Sequence, residues 1–119
     1  MHASGKLRRA FVVEDEVMVA MYVEDLLTEL GYEVTEMATS LDQALPIATG
    51  TSFDFAVLDV NLDGRLSFPI ADVLRERGVP FLFASGYGSK GMTNEYRATV
   101  RLQKPFSRAD LAAAIGKLE

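Results

Sequence analysis

The stretch Phe53-Asp54-Phe55-Ala56-Val57-Leu58-Asp59-Val60 decides the architecture, because it is an apolar run broken only by Asp54 near its start and Asp59 near its end. A strand with one wetted face alternates apolar and polar residues, whereas a strand covered on both faces is apolar throughout and belongs to the centre of a parallel sheet. The run therefore reads as a central strand. It puts Asp59 at the strand's carboxyl end, at the mouth of the sheet, and Asp54 at its solvated start.

Upstream, Leu7 to Val13 turns apolar and β-branched after Arg9 and meets the acidic trio Glu14, Asp15 and Glu16, which reads as a strand and then a loop. Glu16 to Leu30 is a helix, since Val19, Val23, Leu26, Leu27 and Leu30 share one face and Gly31 supplies a left-handed stop. Tyr32 to Met37 alternates as a second strand. Ser40 with Gln43 forms a capping box for a second helix, bent or shortened by Pro46 and ended near Gly50.

Downstream, Asn61 to Leu66 is a loop turning at Gly64, with Asp63 as a turn residue. Ser67 and Pro69 open a helix that runs to Arg77 before Gly78, and Val79 to Ala84 is a strand with Phe81 and Phe83 in the core. Ser89 to Ala98 carries a poor helical pattern in which only Met92 and Tyr96 pair, so a short, loose helix is expected there. Val100 to Gln103 is the fifth strand. Ser107 caps a last helix whose Leu111, Ala114, Ile115 and Leu118 face inward.

This alternation predicts an α/β fold, a parallel sheet with helices on both faces. At 119 residues, 49% hydrophobic and 24% charged, the chain 1–119 has the size and composition of a single domain, with residues 1–6 as an N-terminal extension. The absence of cysteine excludes a disulfide scaffold, a thiolate zinc site and a cysteine nucleophile; with no secretory segment near Met1 it favours the cytoplasm. No apolar run approaches membrane-spanning length. Twelve basic against seventeen acidic residues give a net charge of −5, the wrong sign for neutralising nucleic-acid phosphates, so no nucleic-acid partner is expected. Lys6, Arg8 and Arg9 read as a solvated strand start.

In open parallel sheets ligands bind beyond the carboxyl ends of the strands. The residues there are Glu14 and Asp15, then Asp59, then Ser85, then Lys104 with Pro105. Carboxylates converging in one cleft repel, by about 4 kcal/mol for a pair ~4 Å apart at an effective dielectric of 20, so they call for a cation. Carboxylate oxygens with a backbone carbonyl and water suit Mg²⁺, and Lys104 adds a fixed charge. A strand-end aspartate, an acidic pair, a hydroxyl and a lysine are the parts needed to form an acyl phosphate.

The runs Val12-Val13-Glu14-Asp15-Glu16, Val57-Leu58-Asp59-Val60-Asn61-Leu62, Ala84-Ser85-Gly86 and Lys104-Pro105-Phe106 resemble the receiver domain of bacterial two-component response regulators, and the likeness covers nearly the whole chain. It implies a flavodoxin-like, doubly wound (βα)5 sheet of strand order 2-1-3-4-5. It also implies that Asp59 is the phosphoacceptor, that Glu14, Asp15, Asp59 and the backbone carbonyl of Asn61 hold Mg²⁺, that Lys104 pairs with the phosphoryl group through a loop with a cis bond to Pro105, and that Ser85 is the switch hydroxyl. Pro80 to Gly88 resembles the Phe-Ala-Thr-Gly-Tyr signature of an alphaproteobacterial group of single-domain receivers, with Ser85 in place of threonine. Most receivers carry Tyr or Phe three residues before the lysine, where this chain has Arg101.

The resulting expectation is a stand-alone receiver that accepts a phosphoryl group from a histidine kinase or histidine-containing phosphotransfer protein, and then signals to a downstream protein target or acts as a phosphate sink. Its activity would be self-phosphotransfer with slow autodephosphorylation rather than turnover of a substrate. Val17 and Met21, off the core stripe of the first helix, are the expected docking face for the donor. The glycine-interrupted stretch from Gly86 to Tyr96 is expected to order on phosphorylation, with Tyr87 as its aromatic reporter. The alternatives are a small aspartyl-phosphate phosphatase, which Asp59-Val60-Asn61 loosely echoes although Asn61 cannot act as general acid, and a degenerate receiver used only for binding.

Overall fold

The computed structural model describes residues 7–86, 96 and 99–118. Its elements run β1 (Arg9–Val13), α1 (Val17–Glu29), β2 (Glu33–Ala38), α2 (Leu41–Gly50), β3 (Phe55–Asp59), β4 (Asn61–Leu62), β5 (Arg65–Leu66), α3 (Phe68–Arg77), β6 (Phe81–Ser85), β7 (Arg101–Gln103) and α4 (Arg108–Gly116). The main sheet has five strands in the order β2-β1-β3-β6-β7, all paired in parallel. With the short β4 and β5 set aside, this is the expected order 2-1-3-4-5. The expected helix over Ser89 to Ala98, and Tyr87 with the segment to residue 95, lie outside the described residues apart from Tyr96.

The two-residue period of the strands sorts the core into two layers. Phe11, Val13, Ala56, Leu58, Phe81 and Phe83 pack with α2 and α3, whereas Ala10, Val12, Phe55, Val57, Leu82 and Leu102 pack with α1 and α4. Every residue of β3 is buried, so the central-strand reading of Phe53 to Val60 holds. On α1 the buried residues are Ala20, Val23, Leu26 and Leu27, and Gly31 takes φ 93° beyond its end.

Several local expectations are corrected. Residues 61–66 are a hairpin rather than an open loop, with Asn61 opposite Leu66 and Leu62 opposite Arg65. Asp63 (φ 54°) and Gly64 (φ 88°) both lie in the left-handed region that the tightest hairpin turns demand, and Asp-Gly is a preferred pair for it. Pro46 does not shorten α2, which continues to Gly50. The Ser40 cap forms only half the expected box: its hydroxyl accepts from the Gln43 N–H at 3.1 Å, but the Gln43 side chain takes the Thr39 N–H instead. Ser67 makes no capping bond, because ψ of 6° departs from the extended backbone a capping hydroxyl needs. Asp54 is more than a solvated start: its carboxylate accepts the Arg9 N–H at 2.7 Å and lies 3.6 Å from the Arg9 guanidinium, tying β3 to β1.

Tyr96 sits in the core of the α2–α3 layer at 2% exposure. Its ring stacks on Phe68 at 5.5 Å and meets Phe83 edge-on at 5.5 Å, and its hydroxyl donates to Asp72 on α3.

Candidate functional site

Strand register assembles the site. Val13 lies opposite Leu58, Asp59 opposite Ala84 and Ser85 opposite Gln103, so Glu14, Asp59, Ser85 and Lys104 end adjacent strands side by side. Backbone hydrogen bonds extend the ladders to these positions: Glu14 donates to Ala38 at 3.0 Å, Val60 to Ala84 at 3.1 Å and Lys104 to Ser85 at 2.9 Å. The functional side chains thus inherit the rigidity of the sheet, although they lie far apart in sequence. The Lys104–Pro105 peptide bond is cis.

Asp15, Asp59, Asn61, Ser85 and Lys104 line a cavity of about 420 Å³, together with Glu16, Val60, Asp63, Leu66 and Gly86. Glu14, Asp15 and Asp59 each offer a carboxylate oxygen within 4.8 Å of the others. Glu14 is buried at 3% exposure with both oxygens engaged: Lys104 Nζ donates to Oε1 at 2.5 Å and the Glu16 N–H donates to Oε2 at 3.1 Å. Lys104 also stands 3.3 Å from Asp59 Oδ2, bridging the two acids. Asn61 lines the cavity and its side-chain oxygen accepts the Gly64 N–H at 2.7 Å.

Burial deprives the Asp59 carboxylate of water, and the negative charge of Glu14 adds to that penalty. Together they outweigh Lys104 and push Asp59 up to about 7. Lys104 is itself desolvated, which favours loss of its proton, but its hydrogen bond to Glu14 and the charge of Asp59 prevail and raise its pKa. The site is therefore short of positive charge. Hard oxygen donors from three carboxylates at this spacing fit a small divalent cation such as Mg²⁺.

The sequence-predicted residues Glu14, Asp15, Asp59, Asn61, Ser85 and Lys104 meet in one place. Sequence reasoning missed the part played by Asp63, whose backbone N–H donates to Asp15 Oδ2 at 3.1 Å; the Asp63-Gly64 pair was the available signal. Arg101 and Gln103 are exposed on either side of buried Leu102, so the position three residues before the lysine presents a cation at the surface. On α1, Val17, Met18, Met21 and Tyr22 are exposed apolar residues, extending the expected Val17 and Met21 pair.

The phyllosphere-induced regulator PhyR of Methylorubrum extorquens is 30% identical over 119 residues, covering 97% of this chain and 45% of that protein. The chain spans about half the length of the curated relatives it matches. The solution structure of SdrG from Sphingomonas melonis Fr1 superposes with a TM-score of 0.85 at 35% identity, over 94% of this chain and 96% of that one. The receiver domain of a sensor histidine kinase from Pseudomonas aeruginosa PAO1, described with a magnesium ion coordinated in its active site cleft, shares the fold with a TM-score of 0.81 at 23% identity, over 95% of this chain and 98% of that one. The model of the response regulator receiver domain matches residues 10–116, from the second residue of β1 to the last of α4. The order of the sheet, the acids at its carboxyl edge and these matches agree, and the chain belongs to the response regulator receiver domain family.

Proposed function

We propose that this chain accepts a phosphoryl group onto Asp59 from the phosphohistidine of a histidine kinase or phosphotransfer protein, in a Mg²⁺-dependent reaction in the cytoplasm. One observation carries this reading: a buried strand-end aspartate with a carboxylate oxygen within 4.8 Å of those of two further acids, Glu14 and Asp15, and 3.3 Å from a lysine ammonium. An Asp59 oxygen attacks phosphorus in line, forming a P–O bond. The P–N bond to the donor imidazole breaks, its electron pair returning to the ring nitrogen. Asp59 has to be ionised to attack, which its environment resists without a cation. Glu14, Asp15, Asp59 and the Asn61 carbonyl are the residues that would hold Mg²⁺, which when bound supplies positive charge to the phosphoryl oxygens. Lys104, already turned toward Asp59 and Glu14, is positioned to transfer its contact to the phosphoryl group. Ser85, buried at 5% exposure next to the cavity, is the hydroxyl that would accompany it.

Incubation with Mg²⁺ and acetyl phosphate is expected to add one phosphoryl group to Asp59, located by mass spectrometry, and Asp59→Asn is expected to abolish it. Adduct formation on the Asp59→Asn variant at the wild-type level overturns the assignment. The exposed Val17, Met18, Met21 and Tyr22 face supports donor docking on α1. Met21→Glu is expected to slow transfer from a cognate phosphohistidine donor at least several-fold while leaving acetyl phosphate labelling unchanged; equal donor rates would remove the docking assignment.

A further inference from the structure

Asp15 belongs to a loop, and a carboxylate on a loop has rotamers to lose before it can serve as a ligand. Here one of its oxygens is held from across the cavity. The Asp63 N–H donates to Asp15 Oδ2 at 3.1 Å, a contact spanning 48 positions in sequence. Asp63 can present that N–H because it occupies the left-handed region at φ 54°, followed by Gly64 at φ 88°. Ordinary L-residues avoid this conformation, Asn and Asp tolerate it, and β-branched residues are outliers there.

The turn is itself braced. The Asn61 side-chain oxygen accepts the Gly64 N–H at 2.7 Å, Leu62 is buried at 2% exposure, and Arg65 lies 3.2 Å from Asp42 of α2. The hairpin thus delivers a fixed donor to a carboxylate that faces two other acids.

Resting on the Mg²⁺ site proposed above, we infer that Asp63 is a positioning residue for that site: its left-handed backbone aims an N–H that sets the Asp15 carboxylate for the cation, and its own side chain is dispensable. The hydrogen-bond partners of metal-ligating groups fix ligand orientation in this way, and losing one typically costs about 10–100-fold in metal affinity. What matters at position 63 is accordingly the backbone conformation, not the charge.

Mg²⁺ binding to the metal-free chain, followed by calorimetry or by amide chemical shifts, separates these contributions without any phosphoryl transfer. Asp63→Gly keeps the N–H and the left-handed conformation while removing the carboxylate, and is expected to bind Mg²⁺ within about twofold of the wild type. Asp63→Val keeps the N–H but opposes positive φ, and is expected to weaken Mg²⁺ by about tenfold, the lower end of the range for such partners. The Asp15 amide shifts should move in the valine variant and stay in place in the glycine variant, with thermal unfolding reporting that both remain folded. Equal weakening in both variants would show that the Asp63 carboxylate itself matters, overturning the inference, as would wild-type affinity in the valine variant. A wild-type chain that binds no Mg²⁺ would instead overturn the underlying reading of the site, and this inference with it.

Discussion

Asp59 is 8% exposed and stands beside Glu14 and Lys104, and burial followed by the like charge of Glu14 lifts its carboxyl from an ordinary 3.8 to about 7. In the window between those values the folded chain keeps a proton that the unfolded chain releases. Proton binding is then greater in the native state, so the contribution of this group to stability is fully present below pH 4, falls as pH rises through the window, and is lost above 7. Asp59→Asn cannot take part in this loss. Without divalent cations it is expected to exceed the wild type in stability at pH 8 by about 2–4 kcal/mol, with the gap closing toward pH 4. Thermal unfolding across that range in the presence of a chelator measures it, and a gap independent of pH would show that ionisation of Asp59 is not its cause. The residue types at Glu14, Asp15, Asp59, Ser85 and Lys104 were legible in the sequence because each ends a strand or follows one. The Lys104–Glu14 bond at 2.5 Å was not, since the two residues are 90 positions apart and only the sheet brings them together.

Of the serines that precede helices, Ser67 and Ser107 do opposite things. Ser107 opens α4 with a complete capping box, accepting from the Asp110 N–H at 3.1 Å while the Asp110 carboxylate accepts the Ser107 N–H at 3.0 Å. Ser67 opens α3 with a hydroxyl that is buried and has no hydrogen-bond partner among the described residues. A lost cap typically costs about 1 kcal/mol, whereas removing a buried, unsatisfied hydroxyl relieves a desolvation penalty. Ser107→Ala is therefore expected to lower stability by about 1 kcal/mol, and Ser67→Ala to leave it unchanged or raise it by up to about 1 kcal/mol. Urea unfolding of the two variants checks both signs. The sequence pattern places both serines alike at helix starts, because it sees residue type and spacing. The backbone angle that separates them, ψ of 172° at Ser107 against 6° at Ser67, is set by how each loop arrives at its helix.

Across the whole molecule, the fold brings like charges together at one edge of the sheet, so cation binding and folding are linked. A ligand that binds only the native state stabilises it by about 2.7 kcal/mol at a hundred times its dissociation constant. Mg²⁺ is expected to raise the thermal midpoint of the wild type at pH 8, and to raise that of Asp59→Asn much less; equal shifts in scanning calorimetry would show that the stabilising cation binds elsewhere. The elements of the sheet and their order follow from patterns written in the chain, because an apolar run such as Phe55 to Leu58 and a helical stripe such as Val23, Leu26 and Leu27 dictate burial through near neighbours. Tertiary structure alone decided three things: the burial of Tyr96 against Phe68 and Phe83, the bracing of Asp15 by Asp63, and the bridging of Glu14 and Asp59 by Lys104. Each depends on strand register or on the path of a connecting loop, and these are settled by the packing of residues remote in sequence, which no local pattern records.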